Sequence, residues 1–211
     1  MANTKKFEAD KTWGTHWEYE SIPFIQSSFD KVLNPKEKRL RFYTMNESSD
    51  VANLKKWDAK YEIIDTLTAE IKKTITFEIK ADKYDSNNLF FEKTCSKKPS
   101  GVYATEADYF VYILPRYVCD NFYMIEPKKL IELLDENYKH CLQYGGDGGR
   151  VYGYVINKES FYADFKNAGG KILTWTVEIP QKFEVGKFTE KTKVIYTSNE
   201  MKKYPDPLGL F

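Results

Sequence analysis

This chain of 211 residues contains few cysteines and histidines, and its positive and negative charges nearly balance. Its 3 cysteines, Cys95, Cys119 and Cys141, form no CxxC pair, and its 2 histidines, His16 and His140, lie far apart in the sequence. The odd cysteine count argues against a disulfide framework, and the sparse cysteines and histidines argue against a zinc module. We therefore expect three reduced thiols in a cytoplasmic protein.

Long apolar runs are also missing. Residues 1–10 are polar and charged, so no signal peptide is visible, and we expect no membrane partner. Lys and Arg total 32 against 31 Asp and Glu, a net charge of +1. This balance excludes a polybasic, histone-like nucleic-acid binder. It leaves open an enzyme that handles DNA through a local basic rim around an acidic metal site.

The composition is that of a globular protein, with 42% hydrophobic and 30% charged residues. The aromatic share of 16% comes mainly from 16 Tyr and 14 Phe, which favour strands and cores. At roughly 100–200 residues per domain, the length fits one large domain or one domain with an extension. We interpret residues 1–211 as a single domain with a core at about 40–156 and a C-terminal extension at about 157–211.

Hydrophobic periodicity predicts an α/β (α+β) fold with a mixed β-sheet flanked by helices. The clearest strand lies at 74–80, where Ile75, Phe77 and Ile79 alternate with polar residues. Residues 1–20 are interpreted as an arm or a first strand. Further strands are predicted at 38–43, 58–64, 89–94, 108–114, 122–125, 151–156 and 171–179.

Two helices are predicted in the second half of the chain. Pro127 starts a helix that is expected to reach about Leu142, since proline is favoured in the first helical turn. Asn157 is expected to cap a second helix over residues 158–167, because an Asn side chain satisfies the free N–H groups at a helix start.

Glu78 and Lys80 lie two residues apart on the strand at 74–80 and therefore share its polar face. Such a pair can simply be a solvated strand face. Asp58, at the head of the preceding strand, can approach Glu78 if the two strands form a hairpin. Two inward carboxylates suit Mg²⁺, and an adjacent ammonium can steer a water or stabilise charge on a phosphate.

The order of these residues resembles the PD-(D/E)xK nuclease superfamily. The first motif is written here as Trp57-Asp58, without the usual Pro, and Glu78-Ile79-Lys80 supplies the second. The segments that follow look like a stretch of phage-encoded nucleases of this superfamily, at 88–92, 98–101 and 105–109. The resemblance extends over about residues 50–156 and implies a restriction-endonuclease-like fold. It also implies that Asp58 and Glu78 bind Mg²⁺ or Mn²⁺ and that Asp58, Glu78 and Lys80 are catalytic.

The resemblance further suggests supporting acids. Glu92 lies at a similar register on the next strand, where it can support the metal or form a salt bridge to Lys93 or Lys80. Glu47 or Asp50 can supply the acid that many members of the superfamily carry on a preceding helix. A helix-capping or solvated role explains Glu47 and Asp50 equally well.

A basic rim is predicted at Lys93, Lys97 and Lys98, where ammonium groups would contact DNA phosphates without reading sequence. Ser100 and Thr105 can add hydroxyl contacts to phosphate. A solvated loop explains the three lysines as well, and turn or capping roles explain the two hydroxyl residues.

These residues together predict a Mg²⁺-dependent endodeoxyribonuclease that hydrolyses phosphodiester bonds of DNA. The alternative is a non-catalytic DNA-binding or structural phage protein on the same fold, because a fold does not determine a function. A nuclease directed at RNA or at DNA junctions is a third reading. Nucleases of this type often act as homodimers, and a phage-encoded chain would act in the host cytoplasm.

Overall fold

A computed structural model of the chain describes residues 13–14, 16–25, 57–82, 86–115, 120–145 and 149–175, together with the backbone of residues 38–44. Ten strands form two sheets in this part of the chain. Sheet A has the order β1-β2-β3-β6-β7-β10, and sheet B has the order β5-β4-β9-β8. The strands are β1 Lys38–Thr44, β2 Ala59–Asp65, β3 Ile71–Ala81, β4 Asn88–Cys95, β5 Lys98–Pro99, β6 Tyr109–Ile113, β7 Phe122–Ile125, β8 Leu142–Gly145, β9 Val151–Asn157 and β10 Lys171–Leu173.

Three helical segments accompany the sheets. Helix α1 comprises residues 13–14 and 16–25, α2 is Pro127–Asn137 and α3 is Lys158–Asn167. Short 3₁₀ turns lie at Gly101–Tyr103 and Lys139–Cys141. The predicted α+β class is confirmed. Sheet A is also mixed as predicted, because β3 pairs with β2 in antiparallel and with β6 in parallel orientation.

The β2–β3 hairpin is antiparallel, with one irregularity in its register between Ile63 and Ile64. Ala59 lies opposite Phe77, and the pairing continues towards the turn between the two strands. The carboxylate of Asp65 closes that turn by accepting hydrogen bonds from the N–H groups of Leu67 and Thr68, at 2.8 and 3.1 Å. The hairpin therefore has a locally encoded turn, and its open end carries the residues of interest below.

The two faces of sheet A pack into different hydrophobic clusters. Ile75, Phe77 and Ile79 of β3 lie in a cluster with Trp13 and Trp17 of α1. The opposite face contributes residues of β6 and β7 to a second cluster, which contains residues of sheet B, α2 and α3. Sheet A is therefore the central layer, with α1 on one face and sheet B with two helices on the other.

The expectation of an arm or strand at residues 1–20 is wrong for the described part of that segment, which is helical. Trp13, Trp17, Phe24 and Ile25 are buried, and their spacing follows one face of a helix. The ring of Trp17 lies 6.0 Å from that of Trp175. Burial of large aromatic side chains against sheet A outweighs their preference for strands.

Helix α2 ends at Asn137, earlier than the predicted end near Leu142. The backbone of Tyr138 leaves the helical region, with φ −116° and ψ 14°. Leu142 instead begins β8, where it pairs with Tyr154 of β9. The strand pairing therefore overrides the helical pattern of the local sequence.

Asn157 caps α3 as predicted, since its side chain accepts hydrogen bonds from the N–H groups of Glu159 and Ser160. Residues 158–175, assigned above to a C-terminal extension, place Phe161 and Phe165 in the second cluster and pair β10 with β7. Of the predicted strand at 171–179, β10 covers Lys171–Leu173, residues 174–175 are not in a strand, and residues 176–211 lie outside the described residues.

Candidate active site

Glu78 and Lys80 project from the face of β3 that points away from α1. The neighbouring Phe77 and Ile79 are buried, at 0% and 3% exposure, while Glu78 and Lys80 are half-buried. The strict alternation follows from the two-residue period of a strand. The predicted shared face of Glu78 and Lys80 is therefore present.

Asp58 is held beside these residues by two hydrogen bonds to β3. Its N–H donates to the carbonyl of Phe77 at 2.7 Å, and its carboxylate Oδ2 accepts from the N–H of Ile79 at 2.7 Å. The predicted antiparallel hairpin is thus confirmed, with Asp58 directly before β2. The carboxylate of Asp58 is anchored one residue from both Glu78 and Lys80.

The electrostatics of the site are unusual for surface carboxylates. Burial and the nearby charge of Asp58 raise the pKa of Glu78 to about 8, although a hydrogen bond to Thr105 opposes the shift. Burial also raises the pKa of Asp58, against the stabilising N–H of Ile79 and the charge of Lys80. Both carboxyl groups are therefore costly to ionise in the free protein.

A third carboxyl group belongs to this site and was missed by the sequence reasoning. Burial, followed by the charge of Asp58, raises the pKa of Glu18 on α1 to about 7, and Lys80 opposes this shift. Glu18 directly follows the buried Trp17. Recognition of the helical spacing from Trp13 to Ile25 would have placed Glu18 beside the buried face of a helix. Glu18, Asp58, Glu78 and Lys80 are called the carboxylate site below.

Lys80 is linked to sheet B by an ion pair. Its Nζ lies 3.3 Å from Oε1 of Glu92 on β4, one of the two alternatives that the sequence left open for Glu92. The other carboxylate oxygen of Glu92 accepts a hydrogen bond from Oγ of Ser100 at 2.8 Å. Burial lowers the pKa of Lys80, but the negative charges of Glu92, Glu18 and Asp82 raise it by more. The pKa of Lys80 therefore lies above its ordinary value. Lys80 is therefore held in place and positively charged.

The turn at Ser100-Gly101 is shaped to hold Glu92. Gly101 has a φ of +54°, which favours glycine, and a Cβ atom there would lie 3.1 Å from the carbonyl oxygen of Glu92 and 3.2 Å from its Cβ. A larger residue would thus press on Glu92. The Ser-Gly sequence supplies both the hydrogen bond to Glu92 and the space beside it.

The residues of the predicted basic rim occupy different environments. Lys97 and Lys98 are exposed. Lys93 forms an ion pair with Asp135 at 2.5 Å and donates to the hydroxyl of Tyr154 at 3.1 Å. The structure therefore does not group Lys93 with Lys97 and Lys98.

The two hydroxyl residues of the predicted rim contact carboxylates of the site. Ser100 donates to Glu92, and Thr105 hydrogen-bonds to Glu78. Among the described residues, no group of three or more His, Cys, Asp and Glu side chains is arranged to hold a metal ion. Glu47 and Asp50 lie outside the described residues.

Comparisons of the chain with protein-family models, with curated proteins and with solved structures gave no match. None of the helices in the described part of the chain has the length and apolar character needed to cross a membrane.

Proposed function

We propose that this chain is a divalent-metal-dependent endodeoxyribonuclease that hydrolyses phosphodiester bonds of DNA. The observation that carries the proposal is the placement of Asp58, Glu78 and Lys80 at the open end of the β2–β3 hairpin. Carboxylates beside a fixed cation are what phosphodiester hydrolysis at neutral pH requires. The resemblance to the PD-(D/E)xK superfamily is part of this proposal, as are a cytoplasmic setting, that of the host if the chain is phage-encoded, and action as a homodimer.

The chemistry of the donor atoms fits Mg²⁺ or Mn²⁺. Asp58 and Glu78 would hold the ion, and the nearby carboxyl group of Glu18 would add negative charge without being a ligand. Mg²⁺ typically binds through one or two carboxylates and keeps several waters, so it does not require a preformed group of three protein ligands. The ion would supply positive charge to the scissile phosphate. The like charges that raise the pKa of Glu78 and Glu18 also favour a cation between them.

Lys80 has a separate task in this proposal. Its ammonium has three N–H donors, and the ion pair with Glu92 leaves donors available for a phosphate oxygen or a water. Because Glu92 is itself fixed by Ser100, the ammonium is already oriented before DNA binds. Lys80 thus stabilises charge that develops on the phosphate, and Glu92 is a positioning residue.

The test is incubation of the purified chain with supercoiled plasmid, with Mg²⁺, with Mn²⁺ and with EDTA. The Lys80→Ala variant, purified in parallel, is the control for contaminating nucleases. We expect metal-dependent conversion to nicked circles by the wild-type chain only. Equal nicking by both proteins, or none by either, would overturn the enzyme proposal in favour of a non-catalytic DNA-binding or structural protein.

A further inference from the structure

One end of sheet B carries exposed aromatic and basic side chains that the carboxylate site does not use. Tyr144 on β8 is 73% exposed although it lies within a strand. Its ring lies 4.9 Å from that of Tyr152 on β9, at an angle of 47°. Together with the basic residues described next, this pair forms what is called the Tyr144 surface, which comprises Tyr144, Tyr152, Lys97, Lys98 and Arg150.

The strand register brings these residues to the same end of the sheet. Tyr144 pairs with Tyr152, which lies opposite Thr94 of β4. Cys95 pairs with Lys98 across a two-residue turn, and the N–H of Ser96 donates to the carbonyl of Arg150 at 3.0 Å. The tyrosine pair and the three basic residues therefore belong to adjoining strand ends and turns.

The turn between β4 and β5 presents Lys97 in an unusual backbone conformation. Ser96 and Lys97 have φ values of 49° and 67°, a region that two-residue hairpin turns usually fill with Asn and Gly. A lysine is less favourable there than glycine. The turn nevertheless carries the positively charged side chain of Lys97 at this position.

The described part of the Tyr144 surface is basic. Segments 94–98, 142–145 and 149–152 contain Lys97, Lys98 and Arg150 but no Asp or Glu, and Asp147, between β8 and β9, lies outside the described residues. Lys97, Lys98 and Arg150 are all exposed. Such a basic surface attracts an anionic partner.

We propose that the Tyr144 surface binds single-stranded DNA, with a base stacked on Tyr144 and phosphates contacted by Lys97 and Lys98. Exposed rings beside a basic track are how proteins hold unpaired strands, since every base has a face for stacking. In a duplex those faces are covered by neighbouring bases, so a duplex would leave the ring of Tyr144 unused. The role of this DNA as substrate rests on the proposed nuclease function.

A DNA strand held on the Tyr144 surface would reach the carboxylate site around the end of sheet B. Strand β4 carries Glu92, the partner of Lys80, and reaches the Tyr144 surface at Cys95, roughly 10 Å further along the strand. Glu92 lies opposite Gly153 and Thr94 lies opposite Tyr152, so Glu92 and Tyr152 point to opposite faces of the sheet. A bound DNA of several nucleotides would therefore pass the end of the sheet before one of its phosphates lies near Lys80.

The test measures binding of a fluorescently labelled oligo-dT of about 20 nucleotides by anisotropy in EDTA, where no cleavage takes place. Tyr144→Ala should weaken binding by about 5- to 150-fold, because stacking on one aromatic ring contributes about 1–3 kcal/mol per base. Tyr144→Phe should bind nearly normally, since the ring is kept. Tyr162→Ala is the matched control, because Tyr162 on α3 also lies beside a lysine, with Nζ of Lys166 4.3 Å from its ring.

Three results would overturn the proposal. The first is unchanged oligo-dT binding by Tyr144→Ala, and the second is an equal loss in Tyr162→Ala. The third is an equal loss of binding to a duplex of the same length, which would make duplex DNA the partner. Because the assay needs no turnover, the proposed nuclease function can fail while the surface is supported, and plasmid nicking can persist while the surface is refuted.

Discussion

The carboxylate site and the Tyr144 surface differ in burial and in the side chains they contain. Glu18, Asp58 and Glu78 are half-buried near Lys80, and burial raises the pKa of each. The Tyr144 surface is exposed, and its described segments carry basic side chains only. A net charge of +1 therefore conceals a cluster of acidic side chains and a separate basic surface. Overall charge excludes a polybasic binder but says nothing about local charge.

The two regions also differ in what they cost the folded protein. Charged side chains on an exposed strand end lose little hydration. The half-buried carboxylates lose part of their hydration, and hydrogen bonds from the N–H of Ile79 and the hydroxyl of Thr105 compensate for only some of that loss. The carboxylate site thus lowers the stability of the fold, a cost that the proposed bound cation would offset.

The largest expected effect comes from substitutions that distinguish the role of Lys80 from that of the acidic residues in the carboxylate site. Lys80→Ala should reduce plasmid nicking by about 10²–10³-fold, because it removes a cation that stabilises the transition state. It should leave Mn²⁺ binding nearly unchanged. Glu78→Ala should lose both activity and metal affinity. Calorimetric titration with Mn²⁺ distinguishes the two variants, and normal heat from Glu78→Ala would contradict its role as a ligand.

A smaller effect is expected from the ion pair that joins the two sheets. Glu92→Gln should lower kcat for nicking by roughly tenfold with little change in KM, because Lys80 loses its orientation but keeps its charge. The same change should add no further loss to Lys80→Ala. Glu132→Gln is the control, since Glu132 faces Lys128 on the exposed side of α2. Additive losses in the double variant would show that Glu92 acts independently of Lys80.

The third prediction concerns salt dependence at the Tyr144 surface. Replacing Lys97 and Lys98 with Ala should weaken DNA binding several-fold and reduce its dependence on salt, because fewer counterions are released. Cleavage at saturating DNA should persist. Lys128 and Lys129 on α2 are two adjacent exposed lysines, and their double alanine variant is the matched control. An unchanged salt slope would mean that Lys97 and Lys98 are merely solvated.

The smallest effect is a shift of stability with pH. The pKa of Glu78 rises from 4.5 to about 8 on folding, so the folded chain holds a proton that the unfolded chain releases earlier. The contribution of the Glu78 carboxyl group to the free energy of unfolding is present at low pH and is lost as pH rises through about 8. Glu78→Gln removes that loss. In EDTA, its melting temperature should exceed that of the wild type by a few degrees near pH 8.5 and hardly at all near pH 5.

Thermal unfolding at several pH values provides the measurement, with Glu132→Gln as the exposed control. A gain that is equal at both pH values would show that the substitution acts through packing and not through the proton of Glu78. Added Mg²⁺ should narrow the difference near pH 8.5, because the ion stabilises the wild-type carboxylates.

The sequence predicted the part of the site that depends on local pattern. The two-residue alternation on β3 placed Glu78 and Lys80 on one face, and the hairpin spacing brought Asp58 beside them. The pairing of Lys80 with Glu92 remained one of several alternatives, because it joins two sheets whose relative placement no local pattern encodes.

The remaining features of the site and fold could not be predicted from local sequence patterns, because they depend on contacts between distant parts of the chain. Glu18 lies 40 residues before Asp58, and its approach depends on how α1 packs against sheet A. Thr105 and Ser100 looked like phosphate contacts, but the fold turns both towards carboxylates. The end of α2 was misplaced because the pairing of Leu142 with Tyr154 overrides a helical pattern.

The turn closed by Asp65 bears on the order in which the chain folds. It joins β2 and β3 locally, so Asp58 and Ile79 meet by closing a loop of about 20 residues. The parallel contact between β3 and β6 must close a longer loop, since Thr76 bonds to Asp108 across 32 residues, and α1 is more distant still. Contacts of short sequence separation form sooner. We therefore expect Asp58 and Glu78 to come together earlier in folding than Glu18, which approaches them only when α1 docks.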